Sequence, residues 1–141
     1  MKQFLILCCF FYSLCSAGQT SAAEAGDRHL WISTIDFVEI LNGYEKETHY
    51  YYDQNWKVLR KMALANDYIE SYQLLRTPIS EDNKIAIILI TTYSNQAQYD
   101  KREAHFETLI KEKGALNLMN EIQPNEFRKI VFSKEYVKHH Y

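Results

Sequence analysis

Three large side chains, His49, Tyr52 and Trp56, recur at intervals of three and four residues in one stretch of the chain. On a helix that spacing places them on one face. An imidazole and a phenol beside an indole wall would suit a flat aromatic ligand or a proton transfer. The plainer outcome is three bulky groups filling space over a sheet, with polar tips finding local partners. A carboxylate, Asp36, interrupts an otherwise apolar run. Facing a pocket, its pKa would rise and it could act as a general base with His49 beside it. Paired with Arg76 or Arg102 it would be structural instead. His105, next to Phe106, is the other histidine able to face inward, and its charged neighbours favour a solvated or capping role. His139 and His140 adjoin near the C-terminal end with no acid nearer than Glu135, too few donors for a metal site. No Gly-rich phosphate loop, G-x-S-x-G elbow or H-E-x-x-H pattern occurs, which leaves kinase, serine-hydrolase and zincin chemistries without support.

These residues need elements to position them. Residues 29–41 alternate as a strand, with Leu30, Ile32, Val38 and Ile40 on one side and Trp31, Ile35 and Phe37 on the other. Apolar residues on both sides imply cover on both faces. Asn42-Gly43 breaks the strand, and Asn42 reads as the cap of the next helix with Glu45 as capping-box partner. Residues 44–65 then follow a helical period, with His49, Tyr52, Trp56, Leu59 and Ala63 on the inner stripe. Residues 68–76 form a second strand. The β-branched run at 85–93 is the strongest strand signal, a central strand buried on both faces.

Ser94 or Asn95 caps a second helix that runs to Lys113 and stops at Gly114, its inner side built from Tyr99, Phe106, Leu109 and Ile110. A helical turn at 116–122 precedes an interruption at Pro124, and 127–133 is the last strand. The order β-α-β-β-α-β predicts an α+β, ferredoxin-like fold with an antiparallel sheet. Right-handed crossovers put both helices on one sheet face and leave the other for a second copy of the chain.

The start of the chain reads as an address. Lys2, an apolar run from Phe4 to Leu14 and the small residues Ser21-Ala22-Ala23 have the layout of a secretory signal peptide at residues 1–23, too short to span a bilayer. A lead-in at 24–28, a domain at 29–134 and a C-terminal tail at 135–141 follow, in a protein expected to be periplasmic or secreted. All three cysteines, Cys8, Cys9 and Cys15, belong to the leader, so the mature chain offers no disulfide, thiolate or Cys-ligated metal. Leu14 before Cys15 is bulkier than the residue expected at an acylation site. Removing Lys2 with the leader takes the net charge from −2 to −3, with both signs interspersed. Nucleic acid is therefore not an expected partner, nor is the membrane once the leader is cleaved.

The chain resembles the dimeric α-β barrel superfamily, which includes antibiotic-biosynthesis-type monooxygenases and stress-responsive barrel proteins. The resemblance lies in the strand Trp31–Ile40, the helix ending Trp56-Lys57-Val58-Leu59 and the strand Tyr72-Gln73-Leu74-Leu75-Arg76. The junction from Ile88–Tyr93 into Ser94-Asn95-Gln96-Ala97-Gln98-Tyr99 completes it. Secreted bacterial relatives of unassigned function share the pattern.

The resemblance implies a homodimer with one pocket per subunit, holding a small apolar or aromatic molecule. That pocket would draw on Phe37, His49, Tyr52, Trp56 and Tyr72, with Asp36 as polar contact. The alternative it implies is a cofactor-independent monooxygenase or a heme-degrading enzyme using the same cavity. Heme-degrading members use a histidine of the second helix as axial ligand, here His105, together with a strand Asn and a Trp. Trp31 or Trp56 could fill the last role, but the first strand has no Asn, and Asp36 lacks the amide donor. No cofactor is otherwise expected.

Overall fold

The computed structural model describes residues 30–140. The segments expected to be a signal peptide at 1–23 and a lead-in at 24–28 lie outside the described residues. Four strands, β1 (Ile32–Ile40), β2 (Ser71–Arg76), β3 (Ile85–Tyr93) and β4 (Arg128–Lys138), form one antiparallel sheet in the order β2-β3-β1-β4. The long first helix has three parts: α1 (Glu45–Tyr51), a π-helical turn (Tyr52–Trp56) and α2 (Lys57–Ala65). The second crossover carries α3 (Gln96–Asp100) and α4 (Arg102–Lys113), and a short α5 (Pro124–Phe127) leads into β4. This is the ferredoxin-like α+β arrangement, a split βαβ doubled.

Strand register decides which side chains meet the helices. β1 pairs with β3 through Ile32↔Tyr93, Thr34↔Thr91, Asp36↔Leu89 and Val38↔Ile87. Ile32 and Tyr93 are buried with Ala63, Tyr99 and Leu109, and Val38, Ile87 and Leu89 with Tyr52 and Trp56. Because side chains alternate along a strand, Thr34, Asp36 and Thr91 share this helix-covered face. Ser33, Ile35 and Phe37 point the other way, with Thr92, Ile90 and Ile88 opposite them on β3. Phe37 meets Phe132 of β4 there, with ring centroids 5.8 Å apart.

Several local expectations change. Asn42 does not cap α1: its backbone is left-handed (φ 54°) and its amide donates instead to the Glu126 carbonyl at 3.1 Å. Asn95 does cap its helix, accepting from the Gln98 amide at 3.0 Å, and Gly114 stops α4 with φ 77°. That helix is jointed at Lys101 rather than continuous, and Ile110 is 53 % exposed instead of buried. No helix forms at 116–122. Pro124 opens α5 because its missing amide proton costs nothing at a first helical position, and Gln123 with Glu126 closes a capping box. β4 continues through much of the predicted tail, to Lys138. Tyr136 takes φ 57° within that stretch, where the register with β1 shifts, so an extra residue is absorbed while pairing resumes.

Candidate functional site

The π-helical turn sets up the interior. It contributes three buried side chains, Tyr52, Asn55 and Trp56, whose spacing of three and four residues keeps them on one face. Asn55 clamps the segment after α4, donating to the Asn117 carbonyl at 2.8 Å and accepting from the Asn117 amide at 2.8 Å. Trp56 lies edge-on to Tyr72 of β2, with centroids 5.8 Å apart. Tyr52, Trp56 and Tyr72 are thus packed as one cluster. The Tyr52 hydroxyl is buried with no hydrogen bond of ordinary geometry, and burial pushes its pKa up to about 12 against the lowering pull of Arg128 beside it.

One turn after Trp56, Arg60 reaches the edge of this cluster. Its Nε donates to Thr91 Oγ1 at 3.1 Å. Its guanidinium carbon lies 4.6 Å from the Trp56 ring centroid and 4.2 Å from that of Phe106 on α4. Burial lowers its pKa to about 10, a fall that Tyr93, Asp36 and Tyr51 partly offset. It stays cationic at neutral pH.

Arg60 lines a cavity of about 250 Å³ between the sheet and α2/α4, together with Thr34, Asp36, Tyr93, Leu59 and Phe106. Asp36 Oδ1 accepts from Ser133 Oγ at 2.6 Å. It forms no ion pair with Arg76 or Arg102, which have other partners. Arg76 binds Asp53 at 3.1 Å, and Arg102, at the cavity mouth, binds Glu135 at 3.2 Å and Glu103 at 3.4 Å. The cavity therefore has a floor of Thr34, Asp36 and Arg60, apolar and aromatic walls, and a mouth where Arg102 is shared by Glu103 and Glu135.

The remaining candidates fall elsewhere. Phe37 is on the opposite face of the sheet. His49 lines a separate cavity of about 270 Å³ with Arg76, Thr77 and Ile79. Its Nδ1 is buried without a partner, and its pKa is held below the ordinary value by burial and then by the Arg76 charge. Asp36 and His49 are thus not brought to one cavity. His105 stacks on Tyr68 at 3.8 Å and does not line the Arg60 cavity. A heme would need that histidine to open onto a space much larger than 250 Å³, so the residues present do not fit one. Among the described residues no group of three or more His, Cys, Asp or Glu side chains could hold a metal ion, and no helix is long and apolar enough to cross a membrane.

Two features escaped the sequence reading. Arg60 is the more important, and its signal was present: it follows Trp56 by four residues, one turn along the inner stripe. The second is a contact of Ser33 Oγ with His139 Nε2 at 2.8 Å, spanning 106 residues and invisible without the fold. That distance suits a nucleophile and its base. Ser33 is only 1 % exposed, however, and its Oγ also bonds Thr92 Oγ1 at 2.8 Å, so a substrate has no route to it.

No protein-family model matches this chain, and no curated protein matches it. Among solved structures the chain is similar to a conserved protein from Methanosarcina mazei Go1, with 13% identity, 82% of this chain and 99% of that chain covered, and a TM-score of 0.47. It is also similar to an uncharacterized NIPSNAP-like domain protein from Burkholderia xenovorans, with 8% identity, coverage of 79% and 87%, and a TM-score of 0.43. The fold assignment rests on the strand order and register given above.

Proposed function

We propose that the protein is a periplasmic or secreted homodimeric α-β barrel protein that binds a small apolar or aromatic molecule in the Arg60–Asp36 cavity. The observation that carries this reading is the cavity itself: aromatic and aliphatic walls around a floor holding two opposite charges that do not bond each other. Pockets of this composition bury a ligand's apolar body and fix its orientation through a few polar groups. A second copy covers the open sheet face, as in the barrel proteins the chain resembles. Ile35, Phe37, Ile88 and Ile90 give that face an apolar centre, and Phe132, 50 % exposed, extends it to the edge strand.

Asp36 supports a second reading, a cofactor-independent monooxygenase in which this carboxylate takes a proton from the bound molecule before O₂ reacts with it. His49 has no part in that step, because it opens onto the other cavity.

A native mass spectrum of the full protein, purified from the periplasm of an expression host, tests the main reading. The expected species is a dimer carrying a reproducible non-covalent extra mass. A bare monomer at micromolar concentration would contradict the dimer. A dimer that takes up none of a panel of single-ring aromatic compounds would contradict the binding role.

A further inference from the structure

Arg60 differs from Arg76 and Arg102, the two arginines nearest to it in role, in what it lacks, while Arg128, which also holds no carboxylate, sits over Tyr51 and Tyr52 and does not line the cavity. Arg76 and Arg102 each hold at least one carboxylate. Arg60 uses one N–H, on Thr91, and its two terminal nitrogens have no hydrogen-bond or ion-pair partner among the described residues. The Trp56 and Phe106 rings stabilise its charge through their π faces but accept no strong hydrogen bond. Arg60 is half-buried, and its terminal nitrogens open onto the cavity, where water serves them until a ligand displaces it. Asp36 shares the cavity, with its Oδ1 accepting from Ser133, and forms no ion pair with the guanidinium. The other acids facing the cavity, Glu103 and Glu135, share Arg102 at the mouth and leave one negative charge in excess there.

We infer that the molecule bound here is a small planar carboxylate, whose two oxygens accept from the terminal nitrogens of Arg60. This rests on the cavity-binding reading above and names the ligand class it leaves open. The guanidinium presents parallel N–H donors in a fixed fork that matches a carboxylate, which an ammonium cannot do. Leu59 and Phe106 then wall the ring that bears the carboxylate, and a cavity of about 250 Å³ favours a single ring. The cavity lining holds three carboxylates and two guanidiniums, so a long-range field does not select the anion. Selection is local, through the fork and its desolvation.

Calorimetric titration of the full protein with benzoate and with its neutral isostere benzamide tests this. Benzoate should bind roughly tenfold or more tighter than benzamide, the worth of hydrogen bonds to a charged group. Arg60→Gln should remove that preference, and Arg60→Lys, a point charge without the fork, should restore only part of it. If benzamide binds as well as benzoate, the carboxylate inference fails while cavity binding stands. If neither binds, both fail. The comparison on the unaltered protein decides the matter even if the Arg60 variants do not fold.

Discussion

At its middle, the sheet runs against simple burial on both faces, although the ends of the covered face carry the ordinary apolar core. The face covered by helices carries Thr34, Asp36 and Thr91 along its middle, and Arg60 comes down onto it. The open face carries Ile35, Phe37, Ile88 and Ile90. The hydrophobic effect alone would exchange them, with charge outward and branched aliphatics inward. Polar groups kept inside at a desolvation cost point to a task for the interior, and apolar groups kept outside point to a partner for the exterior. The covered face itself divides further. Around Tyr52, Trp56 and Tyr72 it is packed solid, and around Arg60 and Asp36 it is hollow.

The contrast can be broken most forcefully at its packed part. Trp56→Ala should lower unfolding free energy by about 3–5 kcal/mol, because it empties a large buried volume and strips a ring from Arg60. Denaturant unfolding measures it, and a loss below about 1 kcal/mol would mean the cluster is not core.

On the open face, Phe132→Glu should turn the proposed dimer into a folded monomer, since a buried unpaired charge costs roughly 2–5 kcal/mol of association. Sedimentation velocity reads the change. A dimer that survives the substitution would place the interface elsewhere.

Tyr52→Phe should sharpen the account of the packed region. Its hydroxyl is buried with no hydrogen bond of ordinary geometry, Arg128 being its nearest polar neighbour, so removal at neutral pH should change stability by no more than about 1 kcal/mol. The pH dependence has a defined sign. The folded pKa of about 12 lies above the ordinary 10.0, so this group's contribution is fully present below the ordinary value and is lost as pH rises toward the folded one. Between pH ~9 and ~11 the phenylalanine variant should therefore lose less stability than the parent. An equal loss in both would contradict the burial of that hydroxyl. Smallest of all, Glu135→Gln at the cavity mouth should change stability by no more than about 1 kcal/mol, because the Arg102 pair is largely exposed on the glutamate side.

Most of the fold was legible from local chemistry. The β-branched run of β3 marked both its ends, and the change of period after Gly43 marked the helix that follows. The π-helical turn was not legible, because nothing in Tyr52-Asp53-Gln54-Asn55-Trp56 announces one extra residue per turn. Pro124 was read as an interruption where it is a helix start, the same fixed φ serving either end.

The site was legible only in part. Asp36 was found because a carboxylate in an apolar strand stands out, and Trp56 and Tyr72 because large aromatics on one face must meet. Phe37 was assigned to the wrong side of the same sheet for this cavity, since a one-residue step along a strand reverses the face. His49 and Asp36 looked like partners in the sequence, but they open onto different cavities. Arg60 was passed over because arginine on a helix is ordinarily a surface residue.

The most direct test follows the side-chain methyl groups by NMR in protein with labelled leucine and isoleucine, as benzoate is added. Leu59 and Ile110, which line the Arg60 cavity, should shift progressively and saturate, while Ile35, Ile88 and Ile90 on the open face stay still. Shifts confined to the open-face isoleucines, with Leu59 and Ile110 unmoved, would contradict the assignment of the binding site to the helix-covered side.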